Sequence, residues 1–474
     1  MEKAIRTLHA EAGEEPRAPD GLLRQYPLTP ELLAVAHAWQ KESGDGFDIA
    51  IKGAPEAVVK MCSLSSEDTA KIHRELDELA VEGLRVIGVA SQHWQQELPS
   101  HHKEFTPKFL GLVALADPPR PGVRDALAEC QQSGVRVVMI TGDHPTTAKA
   151  IARSIGFNSP ESVVTGPELQ ESNSERLREI VRNTSVFARI NPQQKLLIVQ
   201  ALKANGEIVG MTGDGVNDGP ALRAADIGIA MGQRGTDVAR EAADLILLDD
   251  DFTSIVAAIR LGRRIYTNLK NAMRYLFAVH VPIVGLSLFP VLFGWPLILF
   301  PAHVVLLEVA IDPACSTVFE AEPSEADVMS RPPRPPKEPL FTLPAIIICS
   351  AQGAGTLGIC LLLFHLFEGE GSARAAAYSA LLLSNLALIA SNLSASRSVF
   401  RSLLERNRPL WLVFAGVGLS LAIVLCVPTA QKLFRFVPVT GLVVAFALGG
   451  SVASLAWFEL LKALRRRYWP ALVA

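Results

Sequence analysis

The sequence has few cysteines and no pairing pattern among them. Cys62, Cys130, Cys315, Cys349, Cys360 and Cys426 are scattered without a CxxC pair, and four lie in apolar runs. Neither a disulfide framework nor a zinc knuckle organises such a chain, and the six read as small core residues. A charge excess is absent too. Lys and Arg number 45 against 48 Asp and Glu, a net charge of −3 over 474 residues, and no nucleic-acid partner is expected. No signal peptide opens the sequence. What the chain does hold is 49% hydrophobic and 20% charged residues, too apolar for a soluble protein and too charged for a purely membrane one.

The charge is segregated. Up to about Arg274 the pattern is mixed α/β. Beyond it come six apolar runs, Ala272–Phe293, Leu297–Phe319, Leu343–Phe367, Ala375–Ser394, Leu410–Val427 and Val439–Leu461, each about 20 residues and long enough to span a bilayer. One set of flanks carries Arg263, Arg264, Lys270 and Arg274, then Arg331, Arg334 and Lys337, then Arg397, Arg401, Arg406 and Arg408, then Lys462, Arg465, Arg466 and Arg467. The opposite set carries only Arg374, Lys432 and Arg435. The bias places the mixed half and the C-terminus in the cytoplasm and the chain in a cell or plasma membrane.

One stretch concentrates the chemistry. In MTGDGVNDGPAL, Met211 to Leu222, Asp214 and Asp218 stand four residues apart among Gly213, Gly215 and Gly219. EIVGM before it reads as a buried strand, and PALRAADIGIAM after it as a helix and another strand. Both carboxylates therefore sit on a tight loop at the carboxyl end of a parallel strand, where open α/β sheets bind ligands. Paired carboxylates there suit Mg²⁺, which takes one or two carboxylates plus phosphate oxygens. A solvated acidic turn is the plain alternative, since DG and ND are ordinary turn pairs. Two carboxylates and three glycines between two strands favour the metal.

This stretch resembles the TGDGxNDxPAL hinge motif of the P-type cation-transporting ATPases. Further segments carry the same resemblance in order. FDIAIKGAPEAVVKMC, with Lys52 and Gly53, is similar to the family's nucleotide-domain motif, and Arg85 in EGLRVIGVA stands at its GLR position. Tyr26 in RQYPLTPELLA is the position offered for an adenine-stacking aromatic. From Phe109 the pattern becomes βαβ, as for a doubly wound parallel sheet. FLGLVALA is its first strand, followed by Asp117, and VRVVMI ends in Thr141-Gly142-Asp143. SVFARINPQQKLLIVQALKANG sets Lys195 at a helix start.

The resemblance implies an α/β cytoplasmic part followed by an all-α six-helix transmembrane bundle. The α/β part would be a partial nucleotide-binding domain (1–108) and a Rossmann-like haloacid-dehalogenase phosphorylation domain (109–262), with the bundle over 263–474. It implies ATP and Mg²⁺ as cofactors. Thr141, Gly142, Asp143 and Lys195 would serve the phosphoryl group, Asp214 and Asp218 the Mg²⁺, and Lys52, Gly53, Arg85 and Asn217 the nucleotide.

The family's aspartate nucleophile lies in DKTGT, and this sequence has no DKTG, no TGE motif and no four helices ahead of the α/β part. An aspartyl-phosphate cannot form without that carboxylate. Met1-Glu2-Lys3-Ala4 resembles the family's internal PMEKA segment, which implies a start at an internal methionine and the back half of a pump, completed by a missing N-terminal half. The alternatives are a membrane-tethered dehalogenase-type phosphatase and a catalytically dead nucleotide-binding protein that regulates or completes a separate pump chain.

Ionisable residues inside membrane helices are costly and mark ion paths. In LFPAHVVLLEVAIDPACSTVFEAEP, Glu308 and Asp312 are four apart on one helical face and Pro313 follows. Proline frees a backbone carbonyl, so local unwinding is expected there, with oxygen ligands for a hard cation. Asp312 aligns with the family's cation-binding aspartate, although the calcium-pump TDGLP is not kept. Six helices after the phosphorylation domain match the calcium, magnesium and sodium-type pumps. A divalent cation is the expectation. His280 with Pro282, and Asn385, are weaker candidates that read as packing.

Overall fold

The computed structural model describes residues 21–29, 32–40, 46–116, 118–335, 338–394, 397–404 and 407–468. Met1 to Ala4, Asp117, Lys337 and Arg406 lie outside the described residues. The chain forms two compact units, one of residues up to 131 with 135–255, the other of 132–134 with residues from 256 onward.

The first unit opens with β1 (Leu22–Tyr26), β2 (Ala34–Gln40), β3 (Phe47–Gly53), helices α1 (Pro55–Met61) and α2 (Ser66–Val81), then β4 (Arg85–Trp94) and β5 (Lys108–Leu115). The strands form one antiparallel sheet in chain order. Strand β2 shows the period-2 alternation that fixes its faces: Ala34, Ala36 and Ala38 are fully buried and their neighbours are not. At the end of β3, a Cβ on Gly53 would stand 2.4 Å from the Leu33 carbonyl oxygen and 2.6 Å from the Ala34 Cα. Only glycine lets β2 pass so close. Pro55 then starts α1 where a missing N–H costs nothing. Phe109–Ala116, expected to begin the parallel sheet, instead pairs antiparallel with β4. Its hydrophobic run is equally suited to either partner, and the long hairpin with β4 wins.

The parallel part follows as α3 (Val123–Gln132), β6 (Met139–Ile140), α4 (Pro145–Ile155), β7 (Val163–Thr165), α5 (Gly166–Gln170), α6 (Ser174–Asn183), β8 (Val186–Ala188), α7 (Pro192–Ala204), β9 (Gly210–Gly213), α8 (Gly219–Ala224), β10 (Ile227–Met231), α9 (Asp237–Ala242) and β11 (Leu245–Leu247). Its strands do not make one sheet. They make two sheets of three, ordered β6-β8-β7 and β11-β10-β9, all parallel. Among the described residues, strands β6 and β9 therefore each pair on one side only. Of VRVVMI only Met139 and Ile140 join a ladder, and of EIVGM only the last two residues do. A strand with one neighbour has half the available bonds to hold its ends. The apolar core nonetheless runs across both sheets, with Val138 and Ile140 in one cluster with Phe187, Val199 and Met211.

In the second unit, α10 (Phe252–Phe293) begins about five turns before its apolar run. Helix α11 (Pro301–Pro313) passes into a π turn over Ala314–Val318 and a last helical turn over Phe319–Ala321. Then come α12 (Leu343–Leu366), α13 (Glu370–Asn392), short α14 (Val399–Leu404), α15 (Arg408–Cys426), short α16 (Pro428–Leu433) and α17 (Gly441–Tyr468). Among the described residues six helices are long and apolar enough to cross a membrane. Helix α13 is the central one, with 83% of its apolar window buried against 22–39% for the other five. Its small residues explain this, because Ala375, Ala376, Ala377 and Ala380 let neighbours approach closely. The Ser384 hydroxyl meets that of Ser454 on α17 at 2.9 Å.

Candidate functional site

Asp214 is the first residue past β9, at the carboxyl end of a parallel strand, and is exposed. Its carbonyl accepts from the Thr236 amide at 2.9 Å. A tight turn over Val216–Asp218 leads into α8. Asp218 is turned inward and only 5% exposed. Its Oδ1 receives the Lys195 Nζ at 2.7 Å, and its Oδ2 the Gly215 amide at 3.3 Å. A Cβ on Gly213 would stand 2.5 Å from the Asp218 Cβ, so the glycine makes room for the carboxylate. Lys195 lies in the first turn of α7, phased by a reciprocal cap in which Asn191 and Gln194 bond each other's backbone amides at 2.9 and 3.0 Å. Asn217 is exposed on the same turn.

A second group gathers past β6. The Thr141 amide donates to the Phe187 carbonyl at 2.9 Å, and its carbonyl accepts from Ile190 at 3.0 Å. The Thr141 hydroxyl donates to the Asp143 carboxylate at 2.9 Å and accepts from the Asp143 amide at 3.1 Å. Arg85, at the start of β4, reaches the other Asp143 oxygen at 3.5 Å. A Cβ on Gly142 would meet nothing within 4 Å. Lys52 and Gly53 end β3 just ahead of α1, whose Glu56 holds Arg189 at 2.9 Å. The structure thus brings Arg85 to Thr141 and Asp143, and Lys195 to Asp218.

Three residues of this region carry no flag in the sequence. Arg189 has φ +54°, a left-handed conformation uncommon for any residue but glycine, and its amide donates to the Asp143 carbonyl at 3.1 Å. Glu56 bridges Arg189 and, at 3.8 Å, the His144 Nε2. His144 caps α4 through Nδ1, which accepts from the Thr146 amide at 3.4 Å. Burial pushes the His144 pKa down, opposed by Glu56 and aided by Arg189. Only the tertiary fold sets these side by side, since α1, α4 and the loop after β8 are distant in the chain.

Tyr26 is not a stacking platform. It is 3% exposed, donates to the Pro99 carbonyl at 2.8 Å and packs edge-on against Phe105. It belongs to the core of the antiparallel sheet.

In the membrane unit, Glu308 is half-buried and Asp312 exposed, while Leu307, Ala310 and Ile311 turn inward. Past Pro313 the helix is not broken into extended chain; it widens into the π turn over Ala314–Val318. The hydroxyls of Ser316 and Thr317 donate to the carbonyls of Asp312 and Pro313, four residues back, within the π turn. Among the described residues no three metal-ligating side chains cluster. His280 Nδ1 lies 2.8 Å from the Leu276 carbonyl, and the Asn385 Oδ1 accepts from the Tyr275 hydroxyl at 2.8 Å.

The donor set suits Mg²⁺. Asp214 offers an exposed carboxylate, and Asp218 keeps lone pairs beyond those used by Lys195 and Gly215. Mg²⁺ takes one or two carboxylates and fills its remaining positions with phosphate oxygens and water.

Comparison with known proteins defines the class first. Residues 28–226 match the haloacid dehalogenase-like hydrolases, and residues 296–464 match the family described as cation transporting ATPase, C-terminus. The chain is 37% identical over 413 residues to the calcium-transporting ATPase of Bacillus subtilis, covering 83% of this chain and 46% of that protein. It is 34% identical over 441 residues to calcium-transporting ATPase 1 of Schizosaccharomyces pombe, covering 88% and 48%. It is 33% identical over 472 residues to the probable cation-transporting ATPase F of Mycobacterium tuberculosis, covering 92% and 51%. The chain spans about half the length of these curated relatives. It belongs to the P-type cation-transporting ATPases, and with six apolar helices it is an integral membrane protein.

Proposed function

We propose that this chain is the C-terminal part of an ATP-driven pump for a cation, and that it is inert alone because the aspartate that receives the phosphoryl group is not in its sequence. The observation that carries the reading is the split sheet. Among the described residues strands β6 and β9 each leave one edge unpaired, and the loops at their carboxyl ends hold Thr141, Asp214 and Asp218. A strand supplied between them would set its own carboxyl end among those groups.

On this reading the Thr141 hydroxyl, the Gly142 amide and the Lys195 ammonium hold the transferred phosphoryl group, and Asp143 orients Thr141. Asp214 and Asp218 hold Mg²⁺, which when bound offsets phosphate charge. Lys52, Gly53, Arg85 and Asn217 serve the nucleotide, with Arg85 leaving Asp143 for a phosphate oxygen, a more highly charged acceptor. The domain limits are 1–108, 109–262 and 263–474, with the first two and the C-terminus cytoplasmic. Glu308 and Asp312 are the cation ligands this chain contributes. The exposure of Asp312 suits a site completed by helices supplied with the missing half. Two relatives named calcium-transporting favour a divalent ion.

The test is phosphoenzyme formation. The chain alone should give no acid-stable, hydroxylamine-sensitive label from ATP. Adding the upstream half, in cis or as a separate chain, should give it, and Asp214→Asn should then abolish it. Labelling of the chain alone would overturn the reading. Failure of an intact upstream half to restore label would favour a nucleotide-binding partner without turnover.

A further inference from the structure

The helix that carries Glu308 and Asp312 has an interrupted backbone ladder and is held from outside. Pro313 brings no amide to that ladder. Just beyond it the Phe319 amide bonds the Ala314 carbonyl, five residues back, in the π turn. The last helical turn ends at Ala321, and the last carbonyls of a helix find no amide further on. Here other elements supply the donors. The Val318 carbonyl accepts from the Asn407 Nδ2 at 3.0 Å. The Glu322 carbonyl accepts from the Arg264 Nε at 2.8 Å and the Asn268 Nδ2 at 2.9 Å, both on α10.

The side chain of Glu322 adds further ties. Glu322 and Asn407 are each 1% exposed. The Glu322 Oε1 accepts from the Arg397 Nη2 at 2.7 Å, and its Oε2 from the Asn407 Nδ2 at 2.8 Å. Asn407 uses its other end to cap α15, its Oδ1 accepting from the Leu410 amide at 3.2 Å. One buried residue thus joins the end of α11 to α10, to the start of α15 and to the segment between α13 and α14. Apolar side chains of similar volume would hold these helices together as firmly, because burying an ion pair gains little net stability. What the polar groups add is direction, since hydrogen bonds tolerate only a narrow geometry.

We propose that Glu322, Asn407 and Arg397 are positioning residues for the cation site, fixing the rotation of α11 and with it the places of Glu308 and Asp312. The inference rests on the reading of those two carboxylates as cation ligands. The far end of α11 is held as well, by the Tyr378 hydroxyl donating to the carbonyl of the buried His303 at 3.0 Å. Glu308 and Asp312 therefore lie between two fixed points. Releasing the Glu322 end frees the helix to turn at its interrupted ladder, and a slip of one residue swings a side chain by about 100°. A cation then binds only the fraction of molecules with both carboxylates in place, and its apparent affinity falls by that fraction.

The test uses the full chain completed by the upstream half, with phosphoenzyme formation from ATP followed as Ca²⁺ is varied. Asn407→Asp keeps the α15 cap, since Asp caps a helix as well as Asn does. It sets a second carboxylate against Glu322 and the Val318 carbonyl. The Ca²⁺ concentration for half-maximal labelling should rise about tenfold, the scale of one lost hydrogen bond to a charged group, with maximal labelling unchanged. Glu322→Gln alone, which keeps the shape and removes the charge, should shift the Ca²⁺ dependence the same way. Combined with Asn407→Asp it restores a donor between the two residues and should recover part of the loss. Arg401→Gln, which removes an exposed cation of α14, should change nothing. An unmodified completed chain that gives no label would overturn the pump reading and this proposal with it. A completed chain that labels, yet whose Ca²⁺ dependence ignores Asn407→Asp and Glu322→Gln, would overturn the proposal alone. So would variants that lose maximal labelling at unchanged Ca²⁺ dependence, the mark of a merely structural role.

Discussion

At the scale of residues, the loop after β9 shows how one small side chain serves a charged one. Gly213 has no functional group, yet the Asp218 Cβ occupies the space its own Cβ would need. Gly213→Ala must displace either the loop or the carboxylate, and overpacking of this kind costs about 1–3 kcal/mol. Gly142→Ala, where nothing lies within 4 Å, is expected to leave stability nearly unchanged. Chemical denaturation of both variants checks the contrast, and equal losses would mean that the β9 loop relaxes freely. His144 supplies a pH prediction. Its folded pKa lies below the ordinary 6.5, with burial the main cause. As pH falls past about 6.5 the unfolded chain takes up a proton that the folded chain resists, so stability is full above that pH and declines below it. His102, 4% exposed and likewise shifted down by burial, adds to the same slope. His144→Asn keeps a capping acceptor and removes one titrating group, and should flatten the fall in melting temperature of the first unit between pH 7 and 5. An unchanged slope would exclude His144 as a contributor.

At the scale of elements, the open edges of β6 and β9 are the distinctive feature. Edge strands hold fewer ladder bonds and open more readily than central ones. Hydrogen exchange should therefore be fast over Val135–Ile140 and Ile208–Met211 and slow over Val186–Ala188, which is buried and paired on both sides. Adding the missing half should protect the first two stretches. Strong protection there without it would mean that the gap between the sheets is closed by some other partner. Much of this was legible beforehand. The loop at Asp214, the helix at Lys195 and the strand at Lys52 all follow from periodicity and glycine placement. The length of each strand was not, because VRVVMI and EIVGM are apolar enough for full strands and only a neighbour decides how many residues pair. FLGLVALA likewise carries no mark that distinguishes an antiparallel partner from a parallel one.

At the scale of the whole molecule, the two units rest on different forces. The α/β unit depends on side-chain burial against open sheet edges, whereas each membrane helix satisfies its own backbone within the bilayer. Calorimetry of the chain in detergent should show two transitions, the first abolishing the near-ultraviolet signal of the α/β unit while most helical signal persists. A single cooperative transition would show that the units stabilise each other. By itself the sequence determined the six spans, the Lys- and Arg-rich side of each boundary and the acidic loop at Asp214 and Asp218, because hydrophobic length, charge bias and turn chemistry are local properties. Only the tertiary structure decided that the parallel strands fall into two sheets, that the helix widens into a π turn after Pro313, and that Arg85 meets Asp143 while Glu56 holds Arg189. It also decided that Asn407 meets Glu322. Pairing partners, backbone satisfaction and the meeting of charges depend on segments far apart in the chain, and no local pattern records which of them will meet.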